Sequence, residues 1–294
     1  MQGFTRLPAL LFAFLWSTGF PASRLSVIDA PAMTILSIRF AIVAGVLILL
    51  SKLFAVDWSR VRKGWRRAGM VGILLNSGYL GGVFLAVQHG MSAGVAAAIV
   101  GLQPILMIIG ARFWLGEPLS KRQWLGVICG WIGVMWLVGE RTNLFAGSGE
   151  ASLLSIIFII MALMGICFGT LIQKRHPADL SLYELVMVQY IAATISSAVL
   201  MLLFGVGEVI WTMRFLVTLT WQVLVLSLGA VMIFMWLLKK NAATHVSSML
   251  YLIPPLVVLE EMILFGDPIS WGNGAAIGIV CCGVMLVMTK EKAA

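Results

Sequence analysis

The chain has 294 residues, of which 61% are hydrophobic and 11% charged, and its formal net charge is +8. A water-soluble domain carries about 25% charged and about 45–50% apolar residues, so this composition excludes an ordinary soluble fold and requires lipid as the solvent. The basic residues fall between apolar runs, which points to membrane orientation and away from nucleic acid.

Apolar stretches of spanning length cover residues 7–27, 32–51, 68–88, 92–114, 123–139, 152–172, 182–206, 214–238, 243–265 and 271–289. They predict an all-α membrane protein of ten transmembrane helices. The first stretch has signal-peptide traits, with Arg6 before an apolar run and Pro21-Ala22-Ser23 resembling a cleavage site. Because further spans follow, and because this segment has a counterpart in the second half, it is expected to stay as helix one, carrying Trp16.

Arg39 stands inside the second stretch among apolar neighbours. A charge at that depth costs about 2.5–3.5 kcal/mol on insertion scales and needs a cavity or partners. Two roles suit it: an anchor for a substrate carboxylate, which a planar guanidinium grips in bidentate fashion, or a tie to helix-end carbonyls. The loop from Lys52 to Arg67, with Trp58 and Trp65, reads as an orientation signal with interfacial aromatics.

Helix three gathers Asn76, Ser77, Gly78, Tyr79, Gly81 and Gly82, which suits a gate helix able to bend and to approach its neighbours closely. Gln103-Pro104 and Pro254-Pro255 fall near the middle of predicted helices four and nine. Proline removes a backbone hydrogen bond there, and paired breaks in two halves are a pointer to a midplane binding site.

The halves repeat. Gly116-Glu117-Pro118-Leu119-Ser120 recurs as Gly266-Asp267-Pro268-Ile269-Ser270, a shift of 150 residues. At the same shift Gly133-Val134-Met135 matches Gly283-Val284-Met285, Pro104 matches Pro254, and Arg39-Phe40 falls on Gln189-Tyr190. This is a duplicated unit, expected as 1–144 and 151–294. Five spans per unit is an odd number, so the second copy must be inverted relative to the first. With a cytoplasmic N-terminus, most basic loop residues lie inside, including Arg60, Arg62, Lys63, Arg66, Arg67, Lys121, Arg122, Lys174, Arg175, Lys239 and Lys240. Arg24, Arg141 and Arg214 lie outside. Both termini are therefore expected in the cytoplasm.

The Trp16-Ser17-Thr18-Gly19-Phe20 stretch with Arg24, Ile38-Arg39-Phe40, and Pro104 followed by Glu117 together resemble the drug/metabolite transporter superfamily, in particular ten-helix proteins with two EamA-like repeats. The resemblance spans essentially the whole chain. The second copy departs from it where Gln189 replaces the intramembrane arginine and Asp267 the glutamate. It implies a multi-pass protein of the bacterial inner membrane that exports small metabolites by alternating access. Amino acids, aromatic ones among them, are the expected cargo. The alternatives are a sugar-phosphate or nucleotide-sugar exchanger, a drug or cation exporter and, from another class, a membrane-embedded enzyme.

The expected substrate-binding or gating set is Trp16, Arg39, Asn76, Tyr79, Gln103 and Tyr251, with hinges at Gly78, Gly81, Gly82, Pro104, Pro254 and Pro255. Glu260 and Glu261 form an acidic pair that suits proton coupling or, near a helix end, an ordinary interfacial position. Glu117 and Asp267 read as turns leading to Ser120 and Ser270 as caps, and Gly126/Gly130 and Gly274/Gly278 as packing faces. The four cysteines form no Cys-x-x-Cys pair, the three histidines show no metal spacing, and no Walker-type glycine loop occurs. No cofactor, metal or enzymatic activity is expected. The partners are a small-molecule substrate and the bilayer, with the chain acting as monomer or homodimer.

Overall fold

The computed structural model describes residues 6–115, 120–142, 152–204, 206–233, 252–266 and 270–288. Regular structure among them is helical throughout. In chain order it comprises α1 (Arg6–Ser17), α2 (Gly19–Ser26), α3 (Ala32–Leu49), α4 (Trp58–Gly72), the π-helix π1 (Ile73–Leu80), α5 (Gly81–Gln88), α6 (Ala93–Val100) and α7 (Gln103–Leu115). There follow α8 (Lys121–Thr142), α9 (Leu153–Arg175), α10 (Leu182–Phe204), α11 (Met213–Thr220), the π-helix π2 (Trp221–Ala230), α12 (Ile253–Phe265) and α13 (Trp271–Met288). Five continuous helical runs are long and apolar enough to cross a membrane: Ala32–Leu49, Trp58–Gln88, Leu153–Arg175, Leu182–Leu203 and Met213–Ile233.

The element boundaries carry the shift of 150. α3 begins at Ala32 and α10 at Leu182; α7 runs Gln103–Leu115 and α12 runs Ile253–Phe265; α8 begins at Lys121 and α13 at Trp271. π1 and π2 end at Leu80 and Ala230. Local chemistry repeats with them. The Ser120 hydroxyl accepts from the Gln123 amide at 3.3 Å, and the Gln123 side chain accepts from the Ser120 amide at 2.9 Å, a reciprocal cap. At the equivalent place Ser270 accepts from the Asn273 amide at 3.0 Å. Glu117 and Asp267 lie outside the described residues.

Two expected continuous spans are broken. The first divides at Thr18, whose hydroxyl donates back to the Leu15 carbonyl at 2.7 Å. The fourth divides at Gly101-Leu102, where the Leu102 amide reaches only to Ile99, a tighter turn, at 3.1 Å. Pro104 is therefore the second residue of α7 and not a mid-helix kink, and Pro254 and Pro255 occupy the first turn of α12. A proline there costs little, because first-turn amides have no intrahelical partner to lose.

The chain forms two compact units that each draw on both halves of the sequence. One contains residues 1–21, 89–156 and 230–294; the other contains 22–88 and 157–229. Within the first, the principal packing is α8 on α13; within the second, it is α3 on α10. Each is a pair of helices equivalent under the 150-residue shift, and the contacts are reciprocal. A side-chain carbon at Gly133 would fall 2.8 Å from the Ala276 carbonyl and 2.7 Å from Val280, while one at Gly283 would fall 2.7 Å from the Gly126 carbonyl and 2.6 Å from the Gly130 amide. Gly126 and Gly130 are the shift-mates of Ala276 and Val280, as Gly133 is of Gly283. In the second unit, Phe40 and Tyr190, themselves shift-mates, meet edge to face with ring centroids 5.9 Å apart.

The glycine contacts correct one expectation. Gly278 has open space around it, whereas Gly283 carries the close approach. Gly283→Leu should lower stability by about 1–3 kcal/mol through overpacking, and Gly278→Leu should leave it unchanged. Thermal unfolding in detergent checks both, and equal shifts in the two variants would contradict the reciprocal packing.

Candidate functional site

Arg39 lies on α3, buried, in the second unit. Its Nε donates to Ser227 Oγ at 3.0 Å and its Nη1 to Gln222 Oε1 at 3.2 Å, both on π2. Gln222 Nε2 in turn donates to Ser26 Oγ at 2.7 Å, and Ser26 reaches Thr218 at 3.2 Å. Tyr190 hydrogen-bonds with Ser227, and Tyr190 and Tyr79 stand within electrostatic reach of the guanidinium. Among the described residues no carboxylate forms an ion pair with Arg39. The result is a buried positive charge held by neutral groups only.

π1 contains Asn76, Ser77, Gly78 and Tyr79. The Ser77 hydroxyl lies 2.6 Å from Ser196 Oγ and donates to the Ala193 carbonyl at 3.2 Å, which ties π1 to α10. Asn76 is partly buried and Tyr79 buried. The three expected hinge glycines differ. Gly82 could not carry a side chain, since a Cβ would lie 2.5 Å from the Phe158 carbonyl; Gly81 abuts Met33 at 3.1 Å; Gly78 has ordinary room, its nearest neighbour at 3.5 Å. π-helical segments are uncommon and cluster at functional sites. Here two of them occur at equivalent places, and the second supplies both partners of Arg39.

Other expected residues belong to the first unit. Trp16 is partly buried, its ring 5.3 Å from that of Phe12. Gln103 opens α7, and the Gly101 bend before it packs against Pro254, where an added Cβ would sit 3.2 Å from the ring. Glu261 is buried on α12 and accepts from the Ala93 amide at 2.8 Å and the Gly94 amide at 2.6 Å, capping α6. Its neighbour Glu260 accepts from Ser17 at 2.6 Å. Both members of the pair thus engage neighbouring helices. Tyr251 lies outside the described residues.

Two charged groups in the second unit escape a sequence reading. Glu184 is buried and accepts from the Asp57 amide (2.8 Å), the Ser181 amide (2.7 Å) and Arg60 Nη2 (3.2 Å). Ser181-x-x-Glu184 is a capping box readable in the sequence, but its union with the Asp57 cap is tertiary. Asp29, in the loop after α2, receives both Nε (2.8 Å) and Nη2 (2.6 Å) of Arg214. These hydrogen bonds, working against desolvation, hold the Asp29 carboxyl below the usual carboxylate range.

Residues 5–139 match the model of the EamA-like transporter family. The Bacillus subtilis transporter YvbV, named as uncharacterized, is 27% identical over 297 residues, covering 97% of this chain and 92% of that protein. The Escherichia coli K12 inner membrane transporter YedA, also named as uncharacterized, is 24% identical, covering 94% and 89%. The chain is thus similar to the EamA-like transporter family over its first half, and to proteins named as transporters over nearly its whole length. A partial relative, 23% identical over 59% of this chain and 56% of its own length, is named a probable amino-acid metabolite efflux pump of E. coli K12. A solved crystal structure shares the fold with a TM-score of 0.64 at 17% identity, covering 96% of both chains.

A buried charge is costly unless protein groups solvate it, and the Arg39 network does so without a counter-charge among the described residues. Ser227→Ala should cost about 1.5–3 kcal/mol, the range for a hydrogen bond to a charged group, and Thr218→Val, which touches the network only through Ser26, should cost less; chemical unfolding of the two variants compares them. At the loop, Asp29 has a lowered folded-state pKa, so its ion pair stabilises above the usual carboxylate range and that contribution is lost as pH falls through the folded value. Asp29→Asn should lower the midpoint of thermal unfolding at neutral pH and leave a smaller difference from wild type in strong acid.

Proposed function

We propose that this transporter exports amino acids, aromatic ones among them, across a bacterial inner membrane by alternating access. In this reading the chain crosses the membrane ten times, as two inverted five-span repeats (1–144 and 151–294) with both termini in the cytoplasm. The common boundaries of α3/α10, α7/α12 and α8/α13, the reciprocal contacts of α8 with α13 and the Phe40–Tyr190 contact of α3 with α10 support a pseudo-two-fold between inverted repeats.

The observation that carries the substrate class is the buried Arg39 guanidinium with neutral partners. A substrate carboxylate supplies the missing opposite charge and can take the planar fork in bidentate fashion. In the unit that holds Arg39, Asn76 and Tyr79 then set orientation and Gly78, Gly81 and Gly82 accommodate the motion; in the other, Trp16, Gln103 and Tyr251 keep their expected binding or gating role and Pro104, Pro254 and Pro255 their expected hinge role. The name of the partial E. coli relative supports the same class. A sugar-phosphate or nucleotide-sugar cargo needs several buried cations, and among the described side chains Arg39 is the one buried lysine or arginine. A cationic drug would be repelled by it.

Uptake of a panel of labelled amino acids into proteoliposomes tests the reading. Wild type should show saturable uptake, and Arg39→Ala should reduce it about tenfold or more, the equivalent of one charge-assisted hydrogen bond, while unfolding measurements show the variant folded. Undiminished uptake by Arg39→Ala would return Arg39 to a structural role, and absence of uptake for every amino acid would remove the cargo class.

A further inference from the structure

Glu260 and Glu261 are adjacent on α12 and meet opposite fates. Both oxygens of Glu261 accept backbone amides at the start of α6, an arrangement that stabilises a carboxylate. Among the described residues Glu260 has one hydrogen-bond contact, Oε1 to Ser17 at 2.6 Å, and its buried Oε2 has no hydrogen-bond partner. An unpartnered buried oxygen costs far more as half of a carboxylate than as the carbonyl of a neutral acid.

Ser17 adds a counting constraint. It is fully buried in the last turn of α1, and its Oγ lies 2.7 Å from the Phe14 carbonyl as well as 2.6 Å from Glu260 Oε1. A hydroxyl has one proton, so it cannot donate to both. Both contacts become hydrogen bonds at once only if Glu260 carries a proton on Oε1 and donates it to Ser17, which then donates to Phe14. When Glu260 is ionised, Ser17 must turn to it and release Phe14. That release leaves no orphan, because the Phe14 carbonyl also accepts the Thr18 amide at 3.3 Å.

We propose that Glu260 is a proton-carrying site of this transporter, taking up one proton from water on Oε1 and giving it back, with the Ser17 hydroxyl switching between Phe14 and Glu260 as it does so. No bond other than this O–H forms or breaks. The switch sits in the last turn before the break at Thr18, so protonation alters the hydrogen bonding where helix one is already interrupted. The other titratable groups on the elements packed against α12 are few. α6 has none, α1 has Arg6 at its opposite end, and α13 has Cys281 and Cys282; on α12 itself there is Glu261, held as described. The consequence for transport, exchange of substrate against protons, rests on the transport reading above.

Infrared difference spectroscopy of the full chain in lipid, between acidic and alkaline pH, reads the site without any substrate. Wild type should show a protonated carboxyl band that Glu260→Gln abolishes, and Ser17→Ala should keep the band but move it to higher frequency as the hydrogen bond is lost. A band unchanged in Glu260→Gln, or unmoved in Ser17→Ala, overturns the proposal; Ser17→Ala also serves should the glutamine variant fail to fold. In proteoliposomes, an imposed pH difference of one unit should support about a tenfold amino-acid accumulation ratio for one-to-one exchange, falling to unity in Glu260→Gln. Accumulation in Glu260→Gln that still follows the pH difference overturns the coupling. If no amino acid moves, the cargo reading falls while the infrared result still decides the proton site.

Discussion

The reciprocal packing of shift-equivalent helices is the constraint on which the rest depends. When helix and duplicate meet around a two-fold, residue i contacts j and the mate of j contacts the mate of i. Gly133 against Ala276 and Val280, and Gly283 against Gly126 and Gly130, obey that rule. Both sides of the contact must therefore be small, since lipid gives no hydrophobic drive to hold helices together and association relies on close van der Waals approach. The same rule applied in the second unit puts Phe40 on its own mate Tyr190. Arg39 then sits next to that self-contact, and its mate Gln189 takes the corresponding place opposite Gly72, where an added Cβ would fall 2.5 Å from the Gln189 backbone. Under the 150-residue shift one half thus holds a charge where the other holds an amide. The reciprocal positions share a backbone arrangement but not a side-chain environment.

Buried charge is handled in several distinct ways. Glu261 and Glu184 are answered by backbone amides at helix starts, Asp29 by a bidentate arginine, and Arg39 by neutral oxygens alone. Arg39 is the buried cation of this set, and in the proposed reading a ligand supplies its counter-charge. The two partners of Arg39 lie on π2, whose wider turn redirects side chains relative to an α-helix. The irregular helix therefore sets where the partners of the charge stand.

Much of this was legible in the sequence, and for identifiable reasons. Hydropathy located the five helical runs long and apolar enough to span, because backbone in hydrocarbon must be helical. The shift of 150 was readable from the Gly-Glu-Pro-Leu-Ser and Gly-Asp-Pro-Ile-Ser anchors, and Ser120 and Ser270 do cap the helices that follow. Arg39 stood out because arginine among apolar residues is anomalous at any register. Its partners could not be foreseen: Ser227 and Gln222 are nearly two hundred positions away, and nothing local separates them from other polar residues on apolar helices. The prolines were located but their place in the helix was not, since sequence shows a missing amide without showing whether the helix starts or bends there. The π-helices left only the trace of Asn76, Ser77 and the glycines around them.

The glutamate pair shows why neighbouring identical residues need not share a role. Successive positions on an α-helix are turned by about 100°, so Glu260 and Glu261 must face different elements whatever the rest of the fold does. Glu261 meets the start of α6, where Ser92 already caps the Val95 amide at 3.4 Å and the Ala93 and Gly94 amides remain to be satisfied. Gly94 has no side chain to interfere; a Cβ there would fall 2.8 Å from the carboxylate oxygen. Glu260 meets the end of α1, where carbonyls and not amides are left over. Carbonyls and a carboxylate repel each other unless a proton stands between them, and Ser17 supplies one proton where two contacts call for two. Helix polarity therefore divides the pair: Glu261 meets backbone amides at a helix start, and Glu260 meets a hydroxyl already engaged with a carbonyl at a helix end.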